Sequence, residues 1–346
     1  MGAAGRSRQN TAAVPRQTLT LRERNIGKPA AGIGTILSVR ATIGCLMKKL
    51  AAAFVFSLLS VSILSQAQSV PRPRILGIDH ASFYTTDPDA TKKLYNGVMG
   101  LAQAGAIEPG GGERYLVGTQ WVGYSAAPDP SATDRMDHVA FATDDLTALR
   151  RYFASKKIKP SGVQDFVDHS RSFFVTDPEG NRIEFVERAG VVNDLAVASV
   201  VSHRLIHAGF IVHDRDLEDS FYRDVLGFHL YWHGGMHDDK TDWVAMQVPD
   251  GTDWLEYMLN QKAHPDLHTT GVMNHVSLGV RDMKQAQSIL ESHGWRPHGD
   301  ERAQMGKDGK WQLNLFDSDL TRIELMEFRP AQKPCCAEFT GPHPLE

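Results

Sequence analysis

The sequence predicts an α+β fold of four βαβββ units arranged as two tandem domains. Three observations in the 346-residue chain carry this. A short apolar strand holding one histidine occurs four times: "GIDHASFYTTD" around His80, "RMDHVAFATDD" around His138, "RLIHAGFIVHD" around His207 and "GVMNHVSLGVRD" around His275. Each strand leads into a helical pattern, and His80 to His207, Tyr95 to Tyr222 and Gly100 to Gly227 are each 127 residues apart. Each helix is followed by alternating segments with turn residues between them, the mark of hairpins.

The elements follow in order. Strand side chains alternate between faces. Met273, His275, Ser277 and Gly279 are therefore expected on one face, with Val276 and Leu278 on the other. The helices "DPDATKKLYNGVMGL" and "DRDLEDSFYRDVLGF" have an aspartate near the start, suited to capping free amides. Both have a glycine past the last apolar turn, suited to a left-handed cap. "DDLTALRRYFASKKI" and "RDMKQAQSILESHGW" are the helices of the other two units. The strands that follow are "ERYLVGTQWVGYSA", "RSFFVTDPEGNRIEFVE", "DWVAMQVPDGTDWLEYML" and "KWQLNLFDSDLTRIELMEF". The units span about 73–130, 131–190, 201–262 and 270–330. Odd units resemble odd units more than even ones, which suggests an ancestral pair duplicated into domains at 73–190 and 201–330. Residues 189–200 join them, and 331–346 form a tail.

The N-terminus stands apart. From Met47, Lys48 and Lys49 precede an apolar run at residues 50–64, and Ser65-Gln66-Ala67 resembles a cleavage site. Residues 47–67 therefore read as a secretory signal, and the mature protein is expected to be periplasmic or secreted, without stable membrane insertion. Residues 1–46 read as a non-native or disordered extension, with translation starting at Met47. Without residues 1–67 the chain holds 28 basic and 40 acidic residues, a net charge of −12. That argues against nucleic acid as a partner. Of three cysteines, Cys45 falls in the extension, and Cys335 and Cys336 are neighbours in a tail with no expected catalytic role.

Carboxylates recur in the last strand of the units: Glu184 in "NRIEFVE", Glu256 in "DWLEYM" and Glu324 in "TRIELME". The first unit has Gly123 at the matching place. A carboxylate among apolar strand residues is costly to bury unpaired, and a metal ion offsets that cost. Imidazole and oxygen donors suit Fe, Mn, Ni or Zn as a divalent cofactor. The second domain offers His207, Glu256, His275 and Glu324. The first offers His80, His138 and Glu184, the composition of a two-histidine, one-carboxylate triad.

These repeats, the Tyr222–Phe228 helix end and "DPEGNRIEFVE" resemble the vicinal oxygen chelate superfamily, which includes glyoxalase I, bleomycin-resistance proteins and extradiol dioxygenases. The resemblance covers about residues 73–330. It implies that paired units form cupped, incomplete barrels, with His207, His275 and Glu324 as metal ligands and Glu256 as the fourth. It also implies a small substrate with two adjacent oxygens, bound by a monomer or homodimer.

The resemblance leaves three activities open. One is glyoxalase-like isomerase or lyase chemistry with Glu256 as base. Another is Fe(II)-dependent extradiol dioxygenation. The third is ligand binding without catalysis, for which Gly123 makes the first domain the better match. Dioxygenases of this family use a tyrosine near the final hairpin, and Phe174 and Phe316 are expected to stand in its place. His233, His237, His264 and His268 are expected at a solvated surface, and Trp121, Trp243 and Trp254 in packing.

Overall fold

All four βαβββ units are present in the computed structural model, which describes residues 70–105, 112–190, 200–298 and 302–345. The expected extension, the signal segment and most of the join lie outside these residues. The first unit is β1 (Ile75–Thr85), α1 (Pro88–Lys92, continued by a π-type turn at Lys93–Val98), β2 (Ala102–Ala104), β3 (Glu113–Val117) and β4 (Gln120–Ala126). The second is β5 (Met136–Thr143), α2 (Leu146–Ser155), β6 (Gln164–Asp165), β7 (Arg171–Thr176) and β8 (Arg182–Glu187). The third is β9 (Arg204–Ile211), α3 (Arg215–Tyr222), β10 (His229–Gly234), β11 (Trp243–Gln247) and β12 (Trp254–Met258). After α4 (Leu267–Met273), the fourth is β13 (His275–Val280), α5 (Met283–Ser292), β14 (Gln304–Met305), β15 (Trp311–Phe316) and β16 (Arg322–Glu327).

Two eight-stranded sheets result, in the orders β2-β3-β4-β1-β5-β8-β7-β6 and β10-β11-β12-β9-β13-β16-β15-β14. The histidine strands lie side by side and antiparallel at the centre of each sheet. The strands carrying Glu184, Glu256 and Glu324 flank them in parallel. Register decides which side chains meet. Ser82 pairs with His138, so His80 is its diagonal neighbour on the same face, within reach of a long side chain. Ser277 pairs with His207 and with Glu324, which sets the same arrangement in the other sheet.

Among the described residues, every α-helix starts on an aspartate (Asp87, Asp145, Asp214, Asp266, Asp282) whose side chain accepts from an amide three residues on. Each such cap stabilises by about 1 kcal/mol. Gly100 and Gly227 adopt φ of 72° and 79°, the left-handed ends expected for them. One expectation fails. Met273 ends α4 instead of sharing a strand face with His275, because Asp266 caps a helix within "PDLHTT" that runs directly into β13.

The two halves meet through matched contacts. In the turn between β7 and β8, Asp177 accepts from Tyr222 at 2.9 Å, and Glu179 accepts from the backbone of His213 and Asp214 at the start of α3. In the turn between β15 and β16, Asp317 accepts from Tyr124, and Asp319 accepts from the backbone of Thr86 just before α1. One apolar core runs through both halves, from Phe83 and Phe141 to Phe210 and Leu325.

The second of these turns holds a strained residue. Leu320 has a φ of 64° where the other turn has Gly180 at 100°. A side chain in the left-handed region costs about 1–2 kcal/mol, and Leu320 is 38% exposed, so little packing offsets it. Leu320→Gly is expected to raise unfolding free energy by about 1 kcal/mol in denaturant titration. A destabilised variant would show that the leucine side chain outweighs the backbone strain.

Candidate metal centres and the family of the chain

Each sheet gathers its histidines and glutamates in its concave centre. In the first domain, His80 Nε2 lies 3.0 Å from His138 Nε2 and 3.0 Å from Glu184 Oε2, and His138 Nε2 lies 3.3 Å from the same oxygen. All three are buried, and Glu184 is fully so. Neither Glu184 oxygen has a hydrogen-bond partner among the described residues. Two imidazole nitrogens and an orphaned carboxylate aimed at one point are a donor set that a divalent cation would satisfy.

Outer contacts hold this set in place. His80 Nδ1 lies 2.6 Å from Asp79 Oδ1, and His138 Nδ1 lies 2.8 Å from Asp137 Oδ2. Arg188 grips Asp79 through two nitrogens, at 2.8 and 2.6 Å, while Arg182 and Tyr84 bind Asp137. Burial opposes charge on these groups, yet the pairing outweighs it. The Asp137 carboxyl is held down to about 2, the His138 imidazole is raised to about 9 by Asp137 and Glu184, and Glu184 is lowered by both histidines. On the remaining side, the Trp121 indole stacks on His80 with centroids 3.6 Å apart. Gly123 makes room for it: a Cβ there would come within 2.6 Å of the indole.

In the second domain, His207 Nε2 lies 3.0 Å from His275 Nε2, 3.3 Å from Glu324 Oε2 and 3.7 Å from Glu256 Oε2. His275 Nε2 lies 3.5 Å from Glu256 Oε2. His207, Glu256 and His275 form one compact group that could hold a metal. Glu324 approaches it from the His207 side, and its Oε2 is buried without a hydrogen-bond partner among the described residues.

The electrostatics differ from those of the first domain. Arg322 turns inward, its guanidinium 2.8 Å from His275 Nε2 and 3.8 Å from Glu324 Oε1. Lys310 is fully buried, 3.5 Å from Tyr231 and 4.7 Å from the centroid of Trp254. Burial leads every shift. It pushes Glu256 up to about 7 against the pull of Arg322 and Lys310, and His275 down to about 3 with help from Arg322. It lowers Lys310 to about 8.

A cavity of about 100 Å³ opens beside Glu256, Arg322 and Glu324, walled by Trp232, Trp243 and Phe339. Phe339 belongs to the tail, which folds back over β10: Gln247 donates to the Pro342 carbonyl and His343 lies 2.5 Å from the Tyr231 hydroxyl. Cys335 and Cys336 are disulfide-bonded to each other, so neither is a free thiolate donor.

Other expectations divide. His237, His264 and His268 are exposed, as expected, whereas His233 is half-buried on β10. Trp121 and Trp254 pack directly on site histidines. The pairing of Phe174 with Phe316 is corrected by register. Phe174 lies opposite Glu184, but the residue opposite Glu324 is Asn314, and Phe316 lies opposite Arg322. Counting from Asp177 and Asp317, which start equivalent turns, would have given this alignment. Arg322, Lys310 and Asn314 are site residues that the sequence pattern did not single out.

Comparisons agree with the fold. The chain resembles an extradiol ring-cleaving dioxygenase from Brevibacterium fuscum at 19% identity and a TM-score of 0.57, over 79% of this chain and 76% of that one. The substrate complex of homoprotocatechuate 2,3-dioxygenase from the same organism, with 3,4-dihydroxyphenylacetate, matches at 18% identity and a TM-score of 0.55, over 80% and 86%. The homologous enzyme from Arthrobacter globiformis matches at 18% and 0.56, over 75% and 81%. At such identities the likeness speaks for the fold. No curated protein sequence matches the chain. The model of the Glyoxalase/Bleomycin resistance protein/Dioxygenase superfamily matches residues 77–185 and 204–325. With well over half of its residues matched, one stretch in each sheet, the chain belongs to that superfamily.

Proposed function

We propose that this protein is an exported, metal-dependent enzyme that acts on a small oxygen-rich molecule in the cup of its second domain. The observation that carries the reading is the convergence of His207, His275, Glu256 and Glu324 beside an open cavity. These four residues would hold a divalent Fe, Zn, Ni or Mn ion, which would supply positive charge to two adjacent substrate oxygens. Arg322 leaves His275 Nε2 free for the ion only by turning away, as its counterpart Arg182 already does.

Glu256, on leaving the ion, is the base in this reading. It lines the cavity in which the substrate would bind. It takes a proton from a hydroxyl-bearing carbon next to a carbonyl, and the electron pair moves onto the carbonyl oxygen; the proton returns at the former carbonyl carbon as the hydroxyl proton passes to that oxygen, leaving the carbonyl on the first carbon. Arg322 and Lys310 favour negative charge in the cup.

The test is deuterium exchange into dihydroxyacetone in D₂O, followed by NMR, with elemental analysis of the purified protein. Exchange is expected with the metal-loaded protein and is expected to fall by about 10²-fold or more in Glu256→Gln. A second reading, Fe(II)-dependent dioxygenation, draws on the fold shared with the ring-cleaving enzymes. Asn314, opposite Glu324, supplies an amide and no phenol there. Oxygen uptake with 3,4-dihydroxyphenylacetate, without exchange, would replace the first reading by the second. Neither activity, with no metal found in the purified protein, would leave a ligand-binding protein.

A further inference from the structure

The two metal centres differ in what stands behind their histidines. In the first domain each imidazole turns its second nitrogen to a carboxylate, Asp79 or Asp137, and each carboxylate is held by an arginine. In the second domain Ile206 and Asn274 occupy those places. Among the described residues, His207 Nδ1 accordingly has no hydrogen-bond partner, and His275 Nδ1 meets the Met273 carbonyl at 2.8 Å. Asn274 instead accepts from the Ile211 amide and donates to Asp134. With no aspartate to hold it, Arg322 reaches the ring nitrogen that a metal would need.

We propose that the first-domain set of His80, His138 and Glu184 holds a divalent ion more tightly than the second-domain centre does. A carboxylate behind a ligating imidazole fixes the tautomer that leaves Nε2 free, holds the ring in position and makes the nitrogen more basic. Loss of such a contact typically costs 10–100-fold in metal affinity, an order-of-magnitude range. The orphaned Glu184 oxygens, fully buried, mark the third ligand. His138 lines a cleft with Tyr84, Asn181 and Arg182, which gives a route in, while Trp121 closes the side where a fourth protein ligand would project. The tight centre thus borders a cleft at His138, and the weaker one opens onto the substrate cavity. This division does not depend on the reaction proposed for the second domain.

Calorimetric titration of the full chain with Zn²⁺, after removal of metal by a chelator, tests it. Two unequal binding steps are expected. Glu184→Gln should abolish the tighter step, and Asp137→Asn, at a partly exposed position, should weaken that step by about 10–100-fold while leaving the weaker one unchanged. Glu256→Gln should affect only the weaker step. Circular dichroism of each variant separates metal loss from misfolding, and Asp79→Asn repeats the test at the other histidine. A tighter step that follows Glu256, a single step, or an Asp137→Asn variant with unchanged affinity would overturn the proposal. The deuterium-exchange result has no bearing on any of these outcomes.

Discussion

Asp319→Ala is expected to cost about 3–5 kcal/mol of folding stability. Asp319 accepts from Thr85 Oγ1 at 3.0 Å, the Thr86 amide at 2.8 Å, Thr86 Oγ1 at 2.7 Å and Arg135 Nε at 3.1 Å. Arg135 is 4% exposed and Asp319 is 2% exposed. Alanine would leave a buried guanidinium without its counter-charge, and the remaining Arg135 bonds, to the Asp129 and Pro130 carbonyls, are to neutral groups. The mutation also strips the backbone just before α1 of its acceptor. Urea unfolding monitored by fluorescence would measure the loss as a lower midpoint at constant slope. Asp319→Asn, which keeps one acceptor, should lose less. A midpoint shift worth under about 1 kcal/mol would show that the pair contributes like a surface ion pair.

Glu218→Gln is expected to flatten the pH dependence of stability and to stabilise the protein above neutrality. Glu218 is fully buried on α3, and its Oε2 has no hydrogen-bond partner among the described residues. Burial first, and then the charge of Asp177, raises its carboxyl from 4.5 to about 8; Glu179 adds to this, while the Glu179 amide opposes it. The folded state therefore binds a proton that the unfolded state has already released. That contribution is fully present below pH 4.5 and is lost as pH rises through about 8. The total is on the order of a few kcal/mol, at 1.36 kcal/mol per pKa unit. Thermal unfolding between pH 5 and pH 9 should show wild-type Tm falling more steeply than that of the glutamine variant, with the variant ahead at the alkaline end. Parallel curves would mean that the carboxyl titrates alike in both states.

The parts legible in the sequence were those set by local rules. Alternation along a strand placed four histidines and three glutamates on sheet faces, and aspartates announced the helix starts. The missing pieces depended on distant partners. Nothing local to Arg322 says that it turns inward. That follows from Asn274, which stands where the other sheet has the aspartate that holds Arg182. Asn314 was displaced by Phe316 because aromatic similarity was followed instead of distance from the turn. Lys310 and Phe339 meet over the second cup only because the tail doubles back across β10. Helix α4 was overlooked because a seven-residue helix shows too little periodicity beside a histidine-rich loop.

The crossed turns have a further result. Glu179 accepts from the backbone at the start of a helix of the later half, Asp319 accepts from the backbone before one of the earlier half, and Asp177 and Asp317 each bind a tyrosine hydroxyl of the opposite half. Each half thus lends the other two anionic side chains, so the halves are tied reciprocally. A protease that severed the chain between residues 190 and 200 would touch none of these four side chains, and the two pieces would still travel as a single particle until denatured.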